Sequence, residues 1–274
     1  MIVRSFAPAK VNLTLHVTGQ RADGYHLLDS LVAFADVGDR LRLEPAEATR
    51  LKLTGPMAAG VPADASNLVL RAAGLYDLPV AITLDKHLPL AAGIGGGSSD
   101  AAATLLAMAE LTGSPLPAGA TGLGADVPVC LMRQAARMRG IGEDVQPVTG
   151  LPDLHAVLAN PGVAVPTPAV FRALSEKNGA PMPIQLPQWQ DRRSAIDWIA
   201  GQRNDLETPA ITRAPVIGEV LAALSTLPGA RLARMSGSGA TCFALFDTRA
   251  GADKAAEILA TSQPGWWTTA TTLR

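Results

Sequence analysis

The sequence predicts an α+β protein of two domains. Strand-like and helix-like segments are mixed along the chain without the regular alternation of a doubly wound sheet. The 274 residues, 48% of them hydrophobic, suffice for one large core or two modest ones. An apolar run at 156–160, closed by Pro161 and Gly162, reads as a strand and turn that open a second domain, so the expected division is 1–154 and 155–274.

Residues 2–6 and 11–17 read as strands. In the second, Val11, Leu13, Leu15 and Val17 alternate with Asn12, Thr14 and His16, which puts Lys10 and Asn12 on the polar face. A turn with Gly19, Asp23 and Gly24 leads to the apolar run Leu27 to Val37, then to strands at 40–44 and 51–54. A short helix is expected at 67–74, capped by Asn67 or Ser66, and a strand at 80–85. Pro89 to Asp100 is a glycine-packed loop in which Ser98 and Ser99 suit N-caps. The helix they open runs through Ala101, Leu105, Met108 and Leu111 and stops at Gly113 and Pro115. A second glycine-rich turn spans 139–143. The polar, proline-bearing segment 175–195 reads as a linker. Helices are expected at 194–203, 215–226 and about 250–261, and strands at 232–235 and 242–246 around a further glycine-rich turn.

Composition narrows the function. Net charge is −1 and no stretch collects five basic residues, which argues against a nucleic-acid binder. Cys130 and Cys242 lie far apart without CxxC spacing and read as reduced core thiols of a cytoplasmic protein. His16, His26, His87 and His155 offer no helical zinc spacing, and no metal ligands are assigned. The start, MIVRSFAPAK, lacks the apolar run of a signal peptide, and no segment reaches the roughly 18 apolar residues of a membrane span.

The glycine loop is the strongest chemical signal. Glycines 93, 95, 96 and 97 abut two serines and a helix. Such a loop presents unpaired N–H groups and the positive end of a helix dipole, a natural seat for phosphate. It is neither a Walker A loop nor the dinucleotide fingerprint; the alternative is a flexible turn before a helix.

Three further segments bear on the chemistry: Ala7-Pro-Ala-Lys-Val-Asn-Leu13, Leu123-Gly-Ala-Asp-Val-Pro128 and Ser236-Gly-Ser-Gly-Ala-Thr241. Together with Pro89–Asp100 they resemble, in order, the motifs of the GHMP kinase superfamily. PAKVNLTLHVTGQRADGYHLLDSL at 8–31, PLAAGIGGGSSDAA, LGADVPV, NPGVAVPTPAVF at 160–171 and NDLE at 204–207 resemble one branch of it, the 4-diphosphocytidyl-2-C-methyl-D-erythritol kinase family, over nearly the whole chain. The resemblance implies a ribosomal-S5-like N-terminal domain for ATP binding and catalysis and a ferredoxin-like C-terminal domain. It implies ATP-dependent phosphorylation of the 2-hydroxyl of a cytidine diphosphate substrate, in the methylerythritol phosphate route to isoprenoid precursors. One departure is visible: between Gly113 and LGADVP the chain has only SPLPAGATG, where the family usually carries a longer helical connection.

Phosphoryl transfer needs positioning, charge neutralisation and a group to orient or deprotonate the attacking hydroxyl. Asp126, in an otherwise apolar segment, is the candidate base; the alternative is a turn-capping Asp before Pro128. Lys10 is its candidate partner, able to polarise the acceptor hydroxyl or a phosphate oxygen; the alternative is an exposed strand lysine. The resemblance assigns ATP to Pro89, Leu90, Ala91, Ala92, Gly93, Ile94, Gly95, Gly96, Gly97, Ser98 and Ser99, with the Ser99 hydroxyl a candidate contact for phosphate or Mg²⁺. Mg²⁺ is expected to come with the nucleotide rather than in a protein cage. The acceptor falls to Asn12, Tyr25, His26, Thr167 and Phe171, with the rings of Tyr25, His26 and Phe171 at the cytosine. Gly237, Ser238 and Gly239 are expected near the phosphates, against the alternative of a plain hairpin turn. His16 and His87 are given no functional role.

Three competing readings remain. Another GHMP kinase, such as a homoserine kinase, is opposed by Tyr25-His26 and PTPAVF. An S5-like RNA-binding module is opposed by the charge balance. A nucleotide sensor without turnover is opposed by Lys10 and Asp126, which it would not need.

Overall fold

The computed structural model describes residues 1–274. Strands β1 (Val3–Asn12), β2 (His16–Gln20), β3 (His26–Pro45) and β4 (Arg50–Thr54) come first, followed by α1 (Leu68–Ala73), β5 (Val80–Asp85) and α2 (Gly96–Thr112). A 3-10 turn at Ala120–Leu123 precedes α3 (Val127–Met132), β6 (Ala136–Gly140), β7 (Asp144–Pro147) and β8 (Leu154–Asn160). Helices α4 (Thr167–Arg172), α5 (Arg192–Ala200), α6 (Glu207–Arg213) and α7 (Val216–Ser225) follow. The chain ends with β9 (Ala230–Met235), β10 (Cys242–Phe246), α8 (Arg249–Ser262) and β11 (Trp267–Leu273). No helix is long and apolar enough to cross a membrane.

Two compact units form, interleaved in sequence. The first is Met1–Lys10, Val37–Leu90 and Gly95–Arg133; the second is Val11–Asp36, Ala91–Ile94 and Gln134–Arg274.

In the first unit, β5 runs antiparallel to the later part of β3, Arg40 opposite Asp85 through Pro45 opposite Val80, and parallel to β4. Period-two alternation sends Val80, Ile82 and Leu84 of β5 into the core. Helix α2 is apolar on nearly every face because it is covered on two sides. Ala103, Ala107 and Met108 pack with Val3, Leu41, Leu43, Ile82 and Leu84. Ala101 and Leu105 pack with Ala72, Ala120, Leu123 and Val127. Each fully buried Leu or Met here contributes about 1.5–3 kcal/mol, so the helix that carries the glycine loop is firmly seated. Gly113 ends it in the left-handed region at φ 66°. The short connection that follows still supports Asp126, because its 3-10 turn buries Ala120 and Leu123 in that second cluster.

In the second unit, β8 lies between β10 and β11, antiparallel to both, with Cys242 opposite Ala159 and Leu273 opposite Leu154. β9 pairs with β10, and β6 pairs with the early part of β3 and with β7. All five residues of the run CFALF in β10 are buried, as expected of a strand covered on both faces. Its neighbours in the core include Ile217, Val220 and Leu224 of α7 and Ala252, Ala255 and Leu259 of α8. Both cysteines are buried and unpaired by disulfide.

Several local expectations change. The apolar run at 27–37 and the strand at 40–44 are one strand of 20 residues. Gly38 permits this, since a Cβ there would collide with the Ala7 carbonyl. The expected strand at 11–17 is broken, because the amides of Leu13 and Thr14 both donate to the Leu31 carbonyl and the Ser30 hydroxyl donates to the Thr14 carbonyl. The polar face of Lys10 and Asn12 does not meet solvent: each residue is only 4% exposed. Ser98 and Ser99 are not caps. Helix α2 begins at Gly96, with Gly95, three residues before Ser98, at the cap position and no side-chain cap bond. Helices α4 and α6 escape sequence reading because six or seven residues are too few to show a helical period.

Candidate active site

The first unit brings Lys10 and Asp126 together. Asp126 occupies the cap position of α3 but makes no side-chain cap bond, so turn capping is not what its carboxylate does. Its Oδ2 instead lies 3.1 Å from the Lys10 ammonium, with the lysine side chain 5% and the aspartate side chain 33% exposed. A partly open carboxylate held by a buried cation can accept a proton from a bound hydroxyl.

Gly95 adjoins this pair. It adopts φ 65°, and a Cβ on it would sit 3.2 Å from Lys10 Cε and 3.8 Å from Asp126 Oδ2. The first intrahelical donor of α2 is the Ser99 amide, bonded to the Gly95 carbonyl at 2.8 Å. The preceding amides of Gly96, Gly97 and Ser98 are therefore left at the positive end of the helix. Gly96 needs neither close approach nor positive φ: its nearest contacts for a Cβ begin at 3.8 Å, and the positive-φ positions of the loop are Ala91, Gly93 and Gly95. The Ser99 hydroxyl is buried and donates to the Pro8 carbonyl at 2.7 Å. Ser98 is half-buried in the first turn and is the hydroxyl still available to a ligand. Pro89 and Leu90 precede the loop, Leu90 being 40% exposed.

Beneath the loop lies a group that sequence reasoning missed. Lys86 is 2% exposed; its ammonium donates to Asp39 and, at 2.7 Å, to Asp100 Oδ2. The other carboxylate oxygen of Asp39 takes the amides of His87 and Leu88. Asp100 Oδ1 is buried without a partner. Burial pushes the Asp100 carboxyl up to about 7 against the pull of Lys86. Burial works against the charge on Lys86, but Asp100 and Asp39 outweigh it and raise its pKa. A lone Lys86 in the run DKH gave no sequence signal, because its two acids come from positions 39 and 100.

The second unit holds the other candidates. Gly237, Ser238 and Gly239 lie in the hairpin loop between β9 and β10, where Met235 faces Cys242. The loop is a hairpin turn and also a docking surface. The Ser236 hydroxyl accepts from the Asn12 amide at 3.0 Å and donates to the Gly93 carbonyl at 2.9 Å. The Thr241 amide donates to the Ala92 carbonyl at 3.1 Å. A Cβ on Gly93 would collide with the Ser236 carbonyl and lie 2.8 Å from the Gly239 amide nitrogen. Only glycine allows this approach, and it fixes Ala91, Ala92, Gly93 and Ile94. The Ser238 and Thr167 hydroxyls are 2.7 Å apart.

Of the three rings expected at the cytosine, two meet. His26 and Phe171 stack with centroids 4.9 Å apart and an interplanar angle of 26°. Tyr25 is 61% exposed and stacks on neither. The Nε2 of His26 is buried without a partner, and burial followed by the charge of Lys177 lowers the imidazole pKa. A neutral imidazole beside a phenyl face suits reading the edge of a base. His16 and His87 are engaged structurally, with the Ala180 carbonyl and with Asp85.

Fold and site define a GHMP-type small-molecule kinase. The models for "GHMP kinases N terminal domain" and "GHMP kinases C terminal" match residues 62–134 and 187–264. A 4-diphosphocytidyl-2-C-methyl-D-erythritol kinase of Dinoroseobacter shibae is 60% identical over 99% of this chain and 95% of its own. A crystal structure of 4-(cytidine 5'-diphospho)-2C-methyl-D-erythritol kinase superposes with a TM-score of 0.81 at 39% identity, covering 99% of both chains. A homoserine kinase of Cytophaga hutchinsonii, at 20% identity and a TM-score of 0.72 over 100% of this chain and 94% of its own, shares the fold. The chain belongs to the 4-diphosphocytidyl-2-C-methyl-D-erythritol kinase family.

Proposed function

We propose that this chain transfers the γ-phosphoryl group of ATP to the 2-hydroxyl of 4-diphosphocytidyl-2-C-methyl-D-erythritol, in the cytoplasm, on the methylerythritol phosphate route to isoprenoid precursors. The observation that carries the chemistry is the Lys10–Asp126 pair, 3.1 Å apart, against the left-handed Gly95 that opens α2. The acceptor oxygen attacks the γ-phosphorus, its proton passes to the Asp126 carboxylate, and the bond to the β–γ bridging oxygen breaks as ADP leaves. Lys10 holds Asp126 and offsets charge on the transferring group. The Gly95–Ser98 backbone binds phosphate through amides. His26 and Phe171 take the cytosine, with Tyr25 at their exposed margin, while Asn12, Thr167 and the Gly237–Gly239 loop contact the rest of the acceptor.

The chain has no cluster of three His, Cys, Asp or Glu side chains for a metal. Mg²⁺ would arrive on the nucleotide phosphates, and the Ser98 hydroxyl would be its protein contact. When bound, the ion neutralises phosphate charge. Along the sequence, we place the boundary between the ATP-binding, catalytic domain and the C-terminal domain at 154/155, between the two family-model matches at 62–134 and 187–264.

The test is ATP consumption with 4-diphosphocytidyl-2-C-methyl-D-erythritol, homoserine and mevalonate offered in parallel. Turnover with the cytidyl substrate alone is expected. Turnover confined to either of the others overturns the substrate assignment and leaves the kinase class standing.

A further inference from the structure

The motif Asn204-Asp-Leu-Glu207 has so far no role in the chemistry. Each of its side chains is nevertheless committed. Asp205 Oδ2 accepts the Val17 amide at 2.7 Å, and the Leu15 amide and carbonyl bond to the Arg203 carbonyl and the Asp205 amide at 2.9 Å each. Those bonds fasten the motif to the segment leading into β2. Leu206 is buried in the core of the unit. Asn204 and Glu207 point the other way, to the loop after β9.

Asn204 is 8% exposed. Its Oδ1 accepts the Leu206 amide at 3.0 Å, which leaves the Nδ2 group as donor. Nδ2 donates to the Met235 carbonyl at 2.8 Å and to the Gly237 carbonyl at 2.9 Å. Glu207 Oε2 accepts the Met235 amide at 2.8 Å. The two carbonyls that Asn204 grips flank Ser236, whose hydroxyl joins the Asn12 amide to the Gly93 carbonyl. The amide of Asn204 is thus one residue removed, on each side, from the hydroxyl that ties an acceptor-contact strand to the upstream half of the glycine loop.

We infer that Asn204 is a positioning residue for phosphoryl transfer: by clamping the Met235 and Gly237 carbonyls it fixes the Ser236 hydroxyl, and through it the backbone of Asn12 and Gly93. The inference rests on the kinase function proposed above. It assigns Asn204 no contact with either substrate. The consequence is a specific split. Loss of the clamp misplaces the loop and the acceptor contacts at Asn12 and Gly237 without touching the His26–Phe171 pair, so the turnover rate falls further than the KM for the cytidyl substrate rises.

The experiment compares wild type with Asn204→Ala and Ser236→Ala, by steady-state kinetics and by hydrogen exchange at single amides. Ser236→Ala cuts the same connection one step later with little change in volume, so it serves even where Asn204→Ala fails to fold. In either variant the Asn12 amide is expected to exchange about tenfold faster, the loss of roughly one net hydrogen bond. The Val17 amide, held by Asp205, should exchange as in wild type. Turnover should fall about 10- to 100-fold, the usual consequence of small misplacement, with a smaller rise, within about tenfold, in the KM for the cytidyl substrate, whose cytosine pair is undisturbed. Unchanged Asn12 exchange in folded Asn204→Ala, or in Ser236→Ala, overturns the clamp. Faster exchange with unchanged turnover overturns the catalytic role. A wild-type chain with the exchange pattern described but no turnover of the cytidyl substrate instead sinks the function proposal, and this inference with it.

Discussion

Replacing Gly95 by alanine tests the site through one carbon atom. Gly95 stands at φ 65°, where a Cβ would lie 3.2 Å from Lys10 Cε, 3.3 Å from Lys10 Cβ and 3.8 Å from Asp126 Oδ2. The left-handed conformation costs a non-glycine residue about 1–2 kcal/mol. The contact with Lys10 is tighter than an ordinary van der Waals approach, so the lysine must shift by a few tenths of an ångström, and it is held by its 3.1 Å bond to Asp126. Gly97, two residues on, is the comparison. It lies within α2 with no positive φ, and a Cβ there meets only Leu68 Cδ1 at 3.8 Å. Alanine at that helical position gains up to about 0.5–1 kcal/mol from reduced backbone entropy. The two variants should therefore differ in stability by roughly 2 kcal/mol, about 4–8 °C in Tm for a chain of this size. Thermal denaturation of both proteins measures the gap. Turnover of Gly95→Ala should fall about tenfold or more, because the reacting groups are displaced. Equal Tm values for the two variants, or a Gly95→Ala enzyme that turns over like wild type, would refute the reasoning.

Asp126→Asn should retain fold and ATP affinity and lose about 10²–10⁴-fold in kcat; turnover within about threefold of wild type would remove Asp126 from the chemistry. Phe171→Ala should weaken the cytidyl substrate roughly ten- to a hundredfold at constant ATP affinity, on the scale of base stacking. His26→Ala should erode preference for cytidine over uridine analogues; if both variants keep wild-type KM and base preference, the cytosine lies elsewhere. The Asp100 carboxyl, raised to about 7 by burial, holds a proton in the folded chain that the unfolded chain releases near pH 4. Its contribution to stability is therefore full below about pH 4 and is lost as pH rises through about 7. The Lys86 contribution, from a raised pKa, is lost only at higher pH, outside that window. Urea denaturation between about pH 4 and pH 8 should show wild type losing stability relative to Asp100→Asn, whereas parallel curves would contradict the buried protonated state.

Much of this protein was legible in one dimension. Strand β5 and helix α2 announce themselves through alternation and through a helix-length apolar run bounded by Gly113, because such patterns arise from contacts repeating every two or 3.6 residues. The glycine loop and the ordered motifs around Lys10, Asp126 and Ser236 were likewise readable, since each concentrates residue types that a packed core does not require. What the sequence could not show was which residues meet. Ser98 and Ser99 looked like caps, yet the left-handed Gly95 starts the helix, and the Ser99 hydroxyl is taken by the distant Pro8 carbonyl. His26, not Tyr25, lies on Phe171, 145 positions along the chain. Lys86 finds its acids at positions 39 and 100, and Asn204 finds carbonyls at 235 and 237. Local patterning records only what neighbours within a turn or a pleat demand. Charge pairing in a buried site and the satisfaction of backbone carbonyls are settled between distant segments, and those partners exist only once the chain has folded.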